Sequence, residues 1–319
     1  MPIDLRVAVR LRKICLEAEN IASYEFVADE GGELPAFTAG AHIDLHLPGD
    51  KVRSYSLVND PAERHRYLIA VQKELDGRGG STWMHESPRV GDRLVISGPV
   101  NDFPLADDAG MSIFIAGGIG ITPVVSMARC LDRQGRRWAL HYGSRSPARA
   151  AFVDELASLA ARSGAVDLHF GPGAGGRLDI AAIVRNAPVD AHLYCCGPRG
   201  MIDQFLAASA ERPPSQVHYE RFAAGQQLAT EGGFDVVLKR SGRSIPVAAG
   251  KTILDALLDN GVSVQYACSA GVCGTCRTRV LEGEPEHRDD YLTDAEKREN
   301  DSIMVCCSGS KSKTLVLDL

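Results

Sequence analysis

Cys268-Ser-Ala-Gly-Val-Cys273-Gly-Thr-Cys276, answered later in the chain by Cys306, is the stretch on which the fold turns. Its spacing, C-x4-C-x2-C-x29-C, is the ligand run of a plant-type [2Fe–2S] cluster. Four thiolates so spaced can close around two irons if the backbone between them folds tightly over the inorganic sulfides. The filler residues suit that demand. Gly271 and Gly274 tolerate positive φ and close approach, and Ser269, Ala270 and Thr275 are small. A zinc site with four cysteine ligands usually pairs C-x2-C with C-x2-C, which is absent here. A disulfide pair fits the spacing less well still.

The residues around this loop read as a small module. Phe234–Lys239 alternates, with Phe234, Val236 and Leu238 on one face, and Ser241-Gly242 makes a hairpin turn. Thr252–Asn260 reads as a short helix capped by Thr252 and stopped by Gly261. Strand, strand, helix and metal loop together predict an α+β domain. Glu282–Asp301 is acidic and reads as a solvated loop and helix. Upstream, Ala223–Gly233 is small and polar, as a linker is.

Before that linker the pattern is strand-turn-helix. Met111–Ala116 is a buried-strand run that leads into Gly117-Gly118-Ile119-Gly120-Ile121-Thr122-Pro123 and then the helical run Val124–Arg133. Thr122 is placed to cap that helix and Pro123 to open it. Such a turn holds a pyrophosphate, although a threonine and a proline stand where the later glycine of G-x-G-x-x-G would be. Strands at Trp138–Gly143, Val166–Phe170 and His192–Cys196 follow, with a helix at Ala148–Ala161. Gly117–Gly120, Gly143–Arg145 and Cys196-Gly197-Pro198 therefore fall at strand ends, where open parallel sheets bind nucleotides. Arg145 could hold a 2′-phosphate.

From Leu5 to Pro104 short strands alternate with turns, as in Ala41–Leu47, Arg66–Gln72 and Arg93–Ser97, which predicts a small antiparallel barrel. Two places in it look chemical. Arg53-Ser54-Tyr55-Ser56 joins a cation, an aromatic face and a hydroxyl, suited to an anionic cofactor with a flat ring. Gly77-Arg78-Gly79-Gly80-Ser81-Thr82, ahead of a helix from Trp83, offers amides to a phosphate. Taken alone, each also fits an ordinary strand or turn.

Whole-chain properties agree with this division. At 319 residues there is room for two or three cores. A net charge of −6 with no dense basic run argues against nucleic acid. The most apolar stretch, Ile113–Ala128, is broken by glycines and a proline and is too short to span a bilayer. Nine cysteines without a framework pattern, and no apolar leader after Met1-Pro-Ile-Asp, predict a cytoplasmic protein in a reducing compartment.

A nicotinamide nucleotide gives up two electrons at once as hydride, and an Fe–S cluster accepts one. A flavin converts between them, so a barrel flavin site becomes the expected link. The order Arg53-x-Tyr55-Ser56, Gly117-Gly-Ile-Gly-Ile-Thr-Pro123, Cys196-Gly-Pro-x-x-Met201 and cysteine loop resembles the phthalate dioxygenase reductase family over essentially the whole chain. The ferredoxin-like end is closest in texture to vanillate O-demethylase reductases. The resemblance implies an FMN barrel at 1–104, an NAD-binding α/β domain at 105–226 and a β-grasp [2Fe–2S] ferredoxin domain at 227–319. It implies that Arg53, Tyr55 and Ser56 touch FMN, with Gly79, Gly80 and Ser81 near its phosphate and Gln72 or Lys73 as a further contact. It places NADH against Gly117, Gly118, Gly120 and Thr122, its nicotinamide beside Cys196, Gly197 and Pro198, and the aromatic Phe222 at the flavin–nicotinamide contact. Cys268, Cys273, Cys276 and Cys306 are the implied ligands, with Cys307 an unligated neighbour. No Cys-x-His pair is present, so the expected electron acceptor is a separate Rieske-type oxygenase acting on an aromatic acid, methoxyarene or quaternary amine, with a haem-thiolate monooxygenase as the alternative. The reductase itself is expected to be a monomer.

Overall fold

The computed structural model describes residues 6–49, 51–75, 79–171, 178–222 and 228–319, in two compact units, Met1–Arg221 and Phe222–Leu319. Gly77, Arg78 and the start of the Ala223–Gly233 segment lie outside the described residues.

The first unit opens with β1 (Val7–Ala18), β2 (Ile21–Ala28), β3 (His42–Leu47), β4 (Lys51–Ser56), β5 (Tyr67–Gln72), α1 (Gly80–Glu86) and β6 (Arg93–Val100). The strands order as β4-β3-β6-β1-β2-β5, with antiparallel neighbours. A bridge from Leu57, just beyond β4, to Ile69 of β5 joins the two edges and closes the sheet on itself. Alternation explains the inside: β3 buries Ile43, Leu45 and Leu47 while its polar residues face outward. Each fully buried aliphatic side chain contributes about 1.5–3 kcal/mol.

The unit continues with β7 (Met111–Gly117), α2 (Ile121–Gln134), β8 (Trp138–Ser144), α3 (Val153–Ser163), β9 (Gly164–Phe170), α4 (Ile180–Asn186), β10 (Ala191–Cys196), α5 (Arg199–Ala208) and β11 (Val217–Glu220). The sheet is parallel throughout, ordered β11-β10-β7-β8-β9. Strand order therefore reverses at β7: the chain steps outward to β8 and β9, then returns to β10 on the other side.

Three helix starts differ from the sequence expectation. α1 begins at Gly80 rather than Trp83, so Ser81 and Thr82 are inside it. α2 begins at Ile121, and its N-cap is Gly120 with no side-chain cap; the Thr122 hydroxyl donates instead to Ile119 O at 2.9 Å. Pro123 then sits third in the helix, where its missing N–H still costs nothing. α3 begins at Val153 because a 3-10 turn at Pro147–Arg149 and a left-handed Phe152 (φ 63°) come before it.

The second unit carries β12 (Phe234–Leu238), β13 (Ser244–Val247), α6 (Ile253–Asp259), β14 (Arg277–Glu282), β15 (Pro285–Glu286), α7 (Asp294–Glu299), β16 (Ser302–Met304), β17 (Gly309–Ser310) and β18 (Thr314–Leu317). Its main sheet is ordered β13-β12-β18-β14-β16 with one parallel pair, β12–β18. α6 buries Ile253, Leu254 and Leu257, which join the core with Val236, Ile245 and Leu315. Thr252 caps it as expected, in a reciprocal box with Asp255 that contributes about 1 kcal/mol. No helix among the described residues is long and apolar enough to cross a membrane.

Candidate functional site

In the parallel sheet the expected nucleotide residues meet at the carboxyl ends of β7 and β10, on either side of the strand-order reversal. That crevice is where open α/β sheets bind ligands. The backbones are in close approach there. A Cβ built on Gly120 would lie 2.3 Å from Cys196 O, so any side chain would push the turn away from β10. One on Gly117 would lie 2.7 Å from both Pro198 Cδ and Met201 Cε, and one on Gly197 would lie 2.7 Å from Met201 Sδ and 3.1 Å from Gly117 Cα. Gly117, Gly120, Cys196, Gly197, Pro198 and Met201 thus form one wall. Gly118 takes φ 55°, and its carbonyl accepts a hydrogen bond from the Tyr142 hydroxyl at 3.2 Å, which ties the turn to β8. Arg145 is exposed at the end of β8. Thr122 is buried and spends its hydroxyl on Ile119, inside the turn. The fit to a pyrophosphate rests on the cradle that any Cβ would fill.

Glu220 carries no motif and was not foreseen. It pairs in register with Cys196 across β10 and β11, with its Oε2 4.0 Å from the Cys196 thiol. Burial, and then the nearby Asp102 carboxylate, push its pKa up to about 8 from the ordinary 4.5. Burial likewise holds the Cys196 thiol protonated. Both groups at the end of β10 are thus held toward their neutral forms. Phe222, just after β11, exposes 41% of its surface.

In the barrel, Arg53 and Tyr55 lie on the same face of β4, two residues apart, and Ser56 is buried. The Arg53 side chain lies along Gly80: a Cβ there would be 2.8 Å from its Nε. Lys51 Nζ reaches within 3.8 Å of the corresponding point on Gly79, so two cations and the start of α1 come together. α1 is held to the barrel by the Tyr24 hydroxyl, which donates to Met84 O at 2.7 Å. Ser81 Oγ accepts the Glu74 N–H at 3.0 Å and so shapes the preceding loop. Burial raises the Tyr55 phenol to about 12, so its ring is neutral. Gln72 and Lys73 point differently. Lys73 pairs with Glu86 at 2.8 Å, whereas Gln72 Oε1 lies 4.0 Å from the position of a Cβ on Gly118.

In the second unit the four thiols come as two pairs. The Cys268 thiol lies beside that of Cys273, and the Cys276 thiol beside that of Cys306, which also neighbours Cys307. The first pair is half-exposed and the second buried. Contact within each pair, and then burial, push Cys268 and Cys276 up, and contact with Cys268 draws Cys273 down. Two neighbouring pairs of thiols fit a group with two irons, and the four side chains would hold it. Cys307 turns its thiol to Met304 O at 3.7 Å. Gly271 and Gly274 take φ 75° and 77°, as the small-residue pattern predicts, and Ser269 joins them at φ 52°. Gly274 has a second reason to lack a side chain: the Tyr291 ring rests on it, 2.2 Å from where a Cβ would stand. Tyr291 is held by Asp289, a buried carboxylate that accepts the Tyr291 and Leu292 N–H groups.

Comparison with known proteins matches both ends of this geometry. Residues 114–206 fit the "Oxidoreductase NAD-binding domain" model and residues 236–310 the "2Fe-2S iron-sulfur cluster binding domain" model. The chain is 50% identical over 313 residues to the phenoxybenzoate dioxygenase subunit beta of Ectopseudomonas oleovorans, covering 98% of this chain and 97% of that one. Among solved structures it resembles phthalate dioxygenase reductase, a modular structure for electron transfer from pyridine nucleotides to [2Fe–2S], at TM-score 0.87 and 39% identity, over 99% of this chain and 98% of the other. It also resembles an intact type IV self-sufficient cytochrome P450 monooxygenase at TM-score 0.73 and 36% identity, over 98% of this chain but 41% of that one.

Proposed function

Because the chain belongs to the phthalate dioxygenase reductase family, we propose that it takes electrons from NADH through FMN and a [2Fe–2S] cluster to a separate Rieske-type oxygenase. It is an oxidoreductase, a reductase component of an oxygenase system. The observation that carries the reading is the presence in one chain of a nucleotide crevice at β7/β10 and a four-thiol loop, which need a two-electron to one-electron converter between them. When bound, the flavin supplies that conversion.

This chain's residues do the rest. Gly117, Gly118, Gly120 and Thr122 bring the turn and the start of α2 to the pyrophosphate. Cys196, Gly197, Pro198 and Met201 make a wall for the nicotinamide, which Glu220 keeps uncharged by holding a proton, while Phe222 is assigned to the flavin–nicotinamide contact. Arg145 at the end of β8 is left to the adenosine end. Arg53, Tyr55 and Ser56 hold the flavin, with Gly79, Gly80 and Ser81 at its phosphate; Gln72 or Lys73 is the further contact, Gln72 bonded to Glu74 but with its Oε1 toward Gly118, Lys73 paired with Glu86. Cys268, Cys273, Cys276 and Cys306 hold the cluster, the first pair toward solvent. The domains assigned are 1–104, 105–226 and 227–319, in a monomeric cytoplasmic protein.

The test is reconstitution. The purified protein should be brown, oxidise NADH and reduce a dye; after deletion of the segment following Gly233 it should still reduce the dye but deliver nothing to an oxygenase. Loss of both activities would sink the modular scheme. Delivery to a haem-thiolate monooxygenase is the second reading, favoured by the likeness to the self-sufficient cytochrome P450. Which purified terminal protein the chain reduces separates the two.

A further inference from the structure

Three of the four residues that follow the flavin strand are gripped, one by one, by the helix that follows the nucleotide turn. Beyond Ser56 the chain runs Leu57-Val58-Asn59-Asp60. Along one face of α2, Ser126 Oγ donates to Asn59 O at 2.9 Å, Arg129 Nη1 donates to Val58 O at 3.2 Å, and Arg133 Nε meets Asp60 Oδ2 at 3.0 Å. Positions 126, 129 and 133 are helical neighbours at i, i+3 and i+7, so one stripe makes all three contacts. Ser126 and Asn59 are fully buried. Arg129 is held from its other side by Glu155 of α3, which fixes the guanidinium against the Val58 carbonyl.

The grip extends at both ends. The Asn59 side chain donates to Arg66 O at 3.0 Å and accepts from Leu68 N at 2.9 Å, so the gripped residue also sets the entry to β5. β5 ends at Gln72, whose side chain approaches Gly118 in the nucleotide turn. The seam is apolar and tight: Val58, Ile21, Ala39, Ala70 and Phe103 from the barrel share one apolar cluster with Val124, Val125, Met127 and Ala128 of α2. At Gly40 a Cβ would stand 1.9 Å from Phe103 O and 2.8 Å from Met127 Cε. Apolar packing alone resists separation but permits sliding; directed bonds to successive backbone carbonyls fix register.

We propose that α2 is a splint that sets the distance between the flavin on β4 and the nicotinamide at β7/β10, with Ser126 and Arg129 as positioning residues for hydride transfer. This rests on the flavin and nucleotide assignments of the proposed function. Ser126 stands about 7.5 Å along the axis from the first residue of α2, so a shift at the seam moves one cofactor against the other with little loss of leverage. Misplacement by about 1 Å can cost on the order of a hundredfold in rate.

The experiment uses the full chain carrying its flavin and cluster, as Ser126→Ala, Arg129→Met and Arg129→Lys. Three readouts are taken: hydrogen exchange of the 57–60 amides without nucleotide, nucleotide dissociation constant, and rate of flavin reduction at saturating NADH with its deuterium isotope effect. Ser126→Ala and Arg129→Met should keep their flavin and their nucleotide affinity, exchange faster at 57–60, and reduce flavin about tenfold more slowly. Arg129→Lys, which retains a donor for Val58 O, should recover most of the rate. An unchanged reduction rate despite faster exchange would overturn the splint, as would a rate loss that merely follows lost flavin or lost affinity. If Arg129→Met fails to fold, Ser126→Ala, the smaller excision, still decides. Wild-type protein whose flavin NADH does not reduce would overturn the functional reading itself, a result visible before any variant is made.

Discussion

The cluster loop and the nucleotide crevice are built by opposite means. In the second unit four named side chains would hold the metal under the proposed assignment, and the backbone only makes room for them. At β7/β10 the side chains withdraw, and the binding surface is backbone brought close by glycines. The lesson concerns tolerance. A site made of ligating atoms fails when one atom is removed; a site made of empty space fails when one atom is added.

The cluster loop therefore gives the largest expected effect. Cys306→Ser should abolish the brown absorbance and the two-iron content, whereas Cys307→Ser should leave both, because the Cys306 thiol lies beside that of Cys276 while the Cys307 thiol, next to Cys306, donates to Met304 O. Iron and sulfide analysis with the visible spectrum decides. Cluster loss in both variants would mean that the ligand position is shared, and the contrast between atom-built and space-built sites would weaken.

Adding a methyl group at the crevice should be nearly as damaging. Gly120→Ala places carbon 2.3 Å from Cys196 O, and the obstacle is backbone rather than a flexible side-chain tip. NADH affinity should fall about tenfold or more, in keeping with the cost of a misplaced binding group, with flavin and cluster content unchanged. An alanine variant that binds NADH normally would show that the turn can retreat, and the crevice would no longer be defined by closeness.

Gly274 lies between these cases, since it belongs to the cluster loop but acts as empty space. Gly274→Ala meets both a positive φ and the Tyr291 ring. The φ strain alone is on the order of 1–3 kcal/mol. Adding Tyr291→Ala should return the steric share and leave the strain, so urea unfolding of the two variants separates the causes. Full recovery in the double variant would assign the whole cost to the ring.

The same division explains what the sequence disclosed. Cysteine spacing singles out Cys268, Cys273, Cys276 and Cys306 as one expected set, and the Thr252 cap was visible because its partner is three residues away. The glycines of the nucleotide turn were visible as a pattern, but their reason was not: Gly120 is crowded by Cys196, far along the chain. Thr122 misled because a hydroxyl before an apolar run usually caps, and here the helix had already begun. Glu220 was silent. A lone glutamate gains its character only from the strand beside it, and that pairing is tertiary.

The smallest expected effect belongs to that glutamate and tests whether the crevice wall is uncharged. The folded pKa of Glu220, about 8, lies above its ordinary 4.5. The folded protein then keeps a proton that the unfolded chain releases, so this stabilisation is complete below about 4.5 and is lost as the pH rises to about 8. Glu220→Gln presents a neutral group at every pH. Near pH 5 the variant and the wild type should unfold at similar urea concentrations; by pH 8 and above the variant should be the more stable. Parallel curves across that window would mean that Glu220 ionises freely in the folded state, and the wall beside Cys196 would then carry a charge that the nicotinamide must face.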